Sequence, residues 1–499
     1  MKTQLFLPLA GLLILIGGCA VGPNYHPPQT AAPANWSEPL AGGTTNSALQ
    51  VADWWKTFND PELNSLIERA VKANYNLRIA EASLLEERAT VSGAKWDFGP
   101  TIGTSAGYTR QRTSANAFGT SASGGTGSAG GGGPSQNLTS SQYDAHFDAT
   151  WELDVFGSKR RTLEEDTANM AASRENLHDV LLTLLGDVAR NYMEVRGAQQ
   201  RLVIASNNIA SQIESIELTQ ARFKAGFVSE LDVRQAEALL ATTKATVPTM
   251  QTTLKQAVHA LGVLLGQSPG ALLDELSRTE PIPATPPVVP VGLPSDLLRR
   301  RPDVRQAERQ LAAATADIGV QTAELFPKFS LTGTAGLQSA SASDWFTAGS
   351  RYWSLGPTVT WRILDFGRIN AQIKGADARQ QQALGTYEQT VLTAFQDVEN
   401  ALVAYANEQT RYQALSDSVV ANRRALEIAN ELYTTGNGDF LNVLDSERSL
   451  FSAQDQLVDS QRTVTENLVT LYKALGGGWE IETKALAMNK APQNNLHGN

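Results

Sequence analysis

Between Leu181 and Phe223 an apolar residue returns at every seventh position: Leu181, Val188, Val195, Leu202, Ile209, Ile216 and Phe223. The same spacing recurs 210 residues later at Val391, Val398, Tyr405, Tyr412, Val419, Leu426 and Tyr433. After a short break each series resumes, first at Val233, Leu240, Val247, Leu254 and Leu261, then at Val443, Leu450, Leu457, Val464 and Leu471. A sustained seven-residue period predicts helices wound left-handedly around neighbours. Six heptads at 1.5 Å per residue span about 60 Å. A compact bundle with one core stripe shares the period and is the competing reading. No proline lies between Pro134 and Pro248 or between Pro357 and Pro492, so long helices fit there, with a local kink expected at Pro248. The breaks read as hairpin tips. Gly226 and Gly436 can take the positive φ that ends a helix, and Ser229 and Asp439 suit the N-cap of the returning one.

A different period runs through "QYDAHFDATWELDV", residues 142–155. Tyr143, Ala145, Phe147, Ala149, Trp151 and Leu153 share one side of an extended chain; Asp144, His146, Asp148, Thr150, Glu152 and Asp154 share the other. Its copy carries Trp353, Leu355, Pro357, Val359, Trp361 and Ile363 in the same parity. A weaker alternation precedes each, at Ile102, Thr104, Ala106 and Tyr108, then at Phe329, Leu331, Gly333, Ala335 and Leu337. Each half therefore predicts one β-hairpin, with loops near 112–138 and 340–350. Strands of about 10–12 residues suit a tilted bilayer crossing, and aromatics at their ends suit the interfaces. A soluble sandwich hairpin shows the same period. Four strands cannot close a barrel, and lipid does not tolerate open edges. Two chains would supply eight strands and three chains twelve. In either case Asp144, Asp148, Glu152 and Asp154 are expected to face a watery lumen.

The chain is duplicated. A shift of 210 carries Trp151 onto Trp361, Phe156-Gly157 onto Phe366-Gly367, Asp187-Val188 onto Asp397-Val398 and Leu265-Gly266 onto Leu475-Gly476, without a gap. Upstream the shift is 227, matching Ala80-Glu81 to Ala307-Glu308 and Pro100 to Pro327. The extra 17 residues fall between Pro100 and Trp151, naturally around the Gly/Ser/Thr-rich stretch 119–133, whose composition predicts a mobile loop. "PIPATPPVVPVGLP" (281–294) holds six prolines and predicts an extended connector. The expected order is a signal peptide (1–18), an extended segment (19–59), a first repeat (60–280), the connector (281–294), a second repeat (295–479) and a tail (480–499). The first repeat would hold a β-hairpin at about 100–155 and a helical hairpin at about 157–266. In the second they would lie at about 327–365 and 367–476.

The ends and the composition narrow the function. Lys2 precedes an apolar run from Leu5 to Ile16, too short to span a bilayer and suited to an export signal. It closes on Gly17-Gly18-Cys19, which looks like a bacterial lipoprotein signal with Cys19 as lipid acceptor. Cys19 is the only cysteine, so no intrachain disulfide can form. A formal charge of −10 with no basic block argues against nucleic-acid binding. The five histidines are scattered without metal-ligand spacing, and no Gly-rich phosphate loop follows a strand. No enzyme activity, metal or cofactor is expected beyond the lipid. On the second returning helix Leu441, Asp445 and Arg448 share a face, where the first carries Leu231, Gln235 and Ala238. Taken alone they could be a solvated face with a local ion pair.

The motifs "CAVGPNYHPP" (19–28), "DWWKTFNDPELNSLI" (53–67), "GLPSDLLRRRPDVRQAE" (292–308), "FPKFSLTG" (326–333), "LDFGR" (364–368), "FLNVLDSERSLFSAQDQL" (440–457) and "YKALGGGW" (472–479) resemble the TolC-like outer-membrane efflux factors, in their NodT/OprM-like lipoprotein branch. The resemblance implies an α+β membrane protein, a homotrimer with a 12-stranded transmembrane β-barrel continuing into a long α-helical coiled-coil barrel in the periplasm. It implies the exit duct of a tripartite pump for drugs or toxic compounds. The partners would be a periplasmic adaptor protein, an inner-membrane RND-type transporter and outer-membrane lipid. Leu441, Asp445 and Arg448 match the family's periplasmic gate, while Asn442 and Gly438 stand where some members carry further charged residues. Gly226, Phe227, Ser229, Gly436, Asn437 and Asp439 are the implied adaptor-contact tips. A duct for type I protein secretion is the nearest alternative. Metal-ion export finds no support in five unclustered methionines. A trimeric autotransporter adhesin would carry its four strands together at the C-terminus.

Overall fold

A computed structural model describes residues 20–29, 32–45, 47, 52–112, 114 and 139–480. Cys19, the signal segment, the Gly-rich stretch 119–133 and nearly all of the tail lie outside the described residues. In chain order the elements are β1 (Thr44–Thr45), α1 (Pro61–Ala73), α2 (Tyr75–Trp96), β2 (Thr101–Arg112), β3 (Thr139–Leu153), α3 (Ser158–Lys224) and α4 (Glu230–Leu264). There follow β4 (Val289–Pro290), α5 (Pro294–Arg300), α6 (Pro302–Ala323), β5 (Lys328–Ser339), β6 (Arg351–Thr360), α7 (Arg368–Thr434) and α8 (Phe440–Ala474). The fold is α+β. No described helix is long and apolar enough to cross a membrane.

The chain divides into two compact units. One comprises Met1–His26, Glu87–Asn169 and Leu311–Gln382. Its centre is an antiparallel sheet in the order β2-β3-β5-β6, with Thr101 opposite Thr150, Trp151 opposite Leu331 and Lys328 opposite Thr360. Alternation segregates the side chains, and large apolar ones stand exposed on one face. Phe147 is 63% and Trp353 78% exposed, while on the other face the Asp144 and His146 side chains are near 20% and Asp148 is 47%. A water-soluble sheet would bury the first set and expose the second.

The other unit comprises Pro27–Glu86, Met170–Gln310 and Ala383–Asn499. Two helical hairpins, formed by α3 with α4 and by α7 with α8, dominate it. At 1.5 Å per residue the 35-residue α4 and α8 are each about 50 Å long, and α4 continues through Pro248. The apolar heptads make the core: Leu181, Val188, Val195, Leu261, Val391, Val398, Tyr405, Val464 and Leu471 are buried together. The "DWWKTF" segment plugs this core, with Trp54 stacked on Tyr472 at 5.3 Å. Asp60 then starts α1, accepting from the Leu63 N–H at 3.0 Å and the Tyr192 hydroxyl at 2.7 Å. Along the hairpins Val203, Ile213, Leu218, Val420 and Ile428 remain exposed in a single chain.

Candidate functional site

Both hairpin tips turn on a glycine in the same way. Gly226 (φ +79°) donates to Phe223 O at 2.9 Å and Phe227 to Arg222 O at 2.9 Å. Gly436 (φ +80°) donates to Tyr433 O and Asn437 to Leu432 O. These paired bonds close the last helical turn and require a left-handed residue, which glycine adopts without strain. Ser229 begins α4, its N–H donating to the Asp232 carboxylate at 3.0 Å. Asp439 begins α8. Between the tips Ile216, Ala236, Tyr433, Phe440 and Val443 form a small apolar cluster. Phe227 stands clear of it, exposed.

Leu441, Asp445 and Arg448 lie one turn apart on α8 and all face outward. Leu441 is exposed, and Arg448 donates to Asp445 at 2.6 Å across a pair that is mostly in solvent. Within one chain this pair holds nothing else.

Behind that face lies a polar seam absent from the sequence reading. One place ahead of the apolar heptad, α3 carries Glu194, Arg201, Asn208, Ser215 and Arg222, again every seventh residue. Arg462 of α8 donates to Glu194 at 2.5 Å, Arg201 grips Asp455 at 2.7 and 2.9 Å, and Asn208 donates to Gln454 at 3.0 Å. Ser215 bonds Glu447. Burial pushes the Glu447 carboxyl above its ordinary range, against the lowering effect of the Ser215 hydroxyl. Burial works against the Arg462 charge, but Glu466, Asp459 and Glu194 outweigh it and raise its pKa. The corresponding positions on α7 are Ala404, Arg411, Ser418, Ala425 and Leu432, so the row is not repeated there.

Arg222 ends the row differently. Its guanidinium lies 4.5 Å from the centre of the Tyr433 ring and donates to the carbonyls of Tyr433 (2.8 Å) and Thr434 (3.3 Å). It thus caps α7 from α3, where a cation is favoured. Arg222→Ala is expected to cost about 1–2 kcal/mol and to speed amide exchange at 433–437. Unchanged protection in hydrogen-exchange mass spectrometry would remove this role. The basic last turn of α3, Arg222 with Lys224, was the available signal.

In the sheet unit, Asp144 and Asp148 flank His146 at 2.5 and 2.9 Å, and they accept from Tyr352 (3.2 Å) and Thr334 (3.0 Å). Glu152 shares their face on β3. Asp154 lies just beyond the strand, and its carboxylate accepts from the backbone N–H groups of Lys159 and Arg160 at the start of α3. It is a helix anchor more than a strand residue. The segment after Cys19 is held by Arg161, which donates to Val21 O (3.0 Å), Gly22 O (3.2 Å) and Asn24 Oδ1 (2.8 Å). Gly22 sits against Gly319, where an added Cβ would come within 2.5 Å of the backbone.

The outer membrane efflux protein model matches residues 66–267 and 293–477. The chain belongs to the outer membrane efflux protein family. Nodulation protein T of Rhizobium leguminosarum bv. trifolii is 32% identical over 486 residues, 95% of this chain and 97% of that one. The solvent efflux pump outer membrane protein SrpC of Pseudomonas putida is 33% identical over 480 residues, 95% and 98% of the two chains. The solved outer-membrane channel OprN superposes with a TM-score of 0.84 at 37% identity, over 93% of this chain and all of that one. This is therefore an efflux protein of the outer membrane, in a family of channels rather than enzymes.

Proposed function

We propose that this efflux protein is the outer-membrane exit duct of a tripartite pump for small toxic molecules, working as a homotrimer. The observation that carries the reading is the sheet, with aromatic side chains exposed on one face, carboxylates on the other and, among the described residues, both edges unpaired in one chain. Lipid solvates the first face and excludes open edges, so several copies must close a barrel. Three four-stranded sheets give twelve strands around a polar lumen lined by Asp144, Asp148 and Glu152. The two helical hairpins of each chain then continue as a coiled-coil barrel, their exposed apolar residues covered by the neighbouring copy. A lipid on Cys19 anchors the start of the chain.

The relatives' names bear on the cargo: SrpC is named for solvent efflux. As with a pump component generally, energy comes from an inner-membrane transporter of the RND type through a periplasmic adaptor. The tip residues Gly226, Phe227, Ser229, Gly436, Asn437 and Asp439 are the adaptor's contact. Leu441, Asp445 and Arg448 narrow the duct at its periplasmic end, where three copies of Asp445 would gather negative charge near the axis and favour cations.

Purified protein in planar bilayers tests both parts. Wild type is expected to be trimeric and to conduct weakly; Asp445→Ala or Arg448→Ala should raise single-channel conductance. Conductance unchanged in both variants removes the gate. A monomer that never conducts removes the duct.

A further inference from the structure

The two hairpins of the sheet share one pairing rule. Thr101 faces Thr150 and Arg110 faces Ser141 in the first; Lys328 faces Thr360 and Leu337 faces Arg351 in the second. Adding 227 to the first partner and 210 to the second, the offsets of the sequence duplication, turns each earlier pair into the later one. Side-chain anchors obey the same rule. The indole N–H of Trp151 donates to Phe98 O at 2.7 Å, and that of Trp361 donates to Leu325 O at 3.0 Å.

The rule reaches one contact with no counterpart inside the chain. β3 pairs with β5, placing Trp151 opposite Leu331. Their counterparts, β6 and β2, are the two edges of the sheet among the described residues, and every residue of β2 is exposed. A ring is unseated at the same place. Phe156 stacks on Phe326 at 4.6 Å and lies 6.4 Å from Phe329. Its counterpart Phe366 is fully exposed on a left-handed backbone (φ +54°), which is costly for an aromatic residue. The positions corresponding to Phe326 and Phe329 are Gly99 and Ile102, and Ile102 is itself exposed.

We propose that β6 pairs antiparallel with β2 of a second copy in one register, which sets Val359 opposite Ala106 of the partner subunit and Trp361 opposite Thr104 of the partner subunit. Phe366 then covers Gly99 of the partner subunit and Ile102 of the partner subunit. The inference rests on the multi-chain barrel proposed above and adds its register. The pairing satisfies the open N–H and C=O groups of both edges, less the one bond that Pro357 cannot donate. A slip by one residue would turn the aromatic face into the lumen. A slip by two keeps the faces but carries Phe366 off its seat, so the two-residue slips are the competitors that matter.

Disulfide trapping in outer membranes separates them, using the full chain with Val359→Cys joined in turn to Ala106→Cys, Thr104→Cys or Tyr108→Cys. Paired strands hold Cα atoms about 4.5–5.5 Å apart, within disulfide reach, whereas a two-residue offset adds about 7 Å along the strand. Oxidation should move the monomer band of the Val359→Cys/Ala106→Cys protein into a covalent trimer on a non-reducing gel. The other two pairs, and Val359→Cys alone with Cys19 present, should stay monomeric. Strongest trapping at Thr104→Cys or Tyr108→Cys, or none in a protein that is trimeric in detergent, overturns the register and leaves the barrel standing. No trapping in a protein that is monomeric in detergent overturns the barrel, and the register with it. Phe366→Ala should lower the temperature at which the assembly dissociates in SDS, and Phe366→Leu should restore most of it; no change in either removes Phe366 from the interface.

Discussion

Arg462→Ala is expected to destabilise the protein by about 2–4 kcal/mol, close to the loss seen when one partner of a buried ion pair is deleted. Arg462 donates to Glu194 at 2.5 Å, Glu466 at 2.8 Å and Asp459 at 2.9 Å, and its own side chain is only 20% exposed. Removing the cation leaves three carboxylates facing one another in a partly dry seam. Burial already raises the Glu466 pKa, with Arg462 the main group pulling it down. The loss should therefore shrink at acidic pH, where Glu466 can take a proton. Replacing Glu194 and Glu466 by glutamine in the Arg462→Ala background should recover part of the stability, because the residual repulsion goes with them. Thermal unfolding followed by helical circular dichroism measures each variant. A loss below about 1 kcal/mol, the worth of a surface pair, would show that the seam is solvated. Gly197 belongs to the same site: an added Cβ there would come within 2.7 Å of the Arg462 side chain.

The contrast between the seam and the helices around it marks what a single sequence makes readable. The heptads were legible because burial of an apolar stripe is a one-body property: Val188 and Val398 need only a dry neighbour, whichever it is. The tips were legible because glycine at Gly226 and Gly436 answers a local backbone demand. The alternation of β3 was equally plain, and with it the inversion of its faces. The polar row was not. Arg201 and Asp455 are separated by more than 250 residues, and each alone reads as an ordinary solvated charge on a helix. Arg161 was missed for the same reason, since its partners are backbone carbonyls near the N-terminus. Asp154 followed the strand's parity into the lumen set, yet parity carries no information about where a strand ends.

Glu165→Gln should make the protein's stability less dependent on pH between about 5 and 8. Glu165 stands near the start of α3, and burial pushes its carboxyl up to about 7. Asp317 and Asp166 add to the rise, while Arg379 opposes it. Arg379 is largely committed elsewhere, donating to Asp317 at 2.5 Å. The folded protein therefore holds a proton on Glu165 that the unfolded chain, with an ordinary value of 4.5, releases. The associated stability is fully present below the unfolded value and is lost as pH rises through the folded one. Screening at this half-buried site reduces the effect to about 1–2 kcal/mol at alkaline pH. Glutamine keeps the shape and hydrogen-bonding capacity of the protonated acid without the charge. Relative to wild type, the variant should melt higher at pH of about 8.5 and nearly the same at about 5. A melting difference that stays constant across that range would mean Glu165 is ionised throughout. In that case Arg379, and not Asp317, would be the charge it answers to.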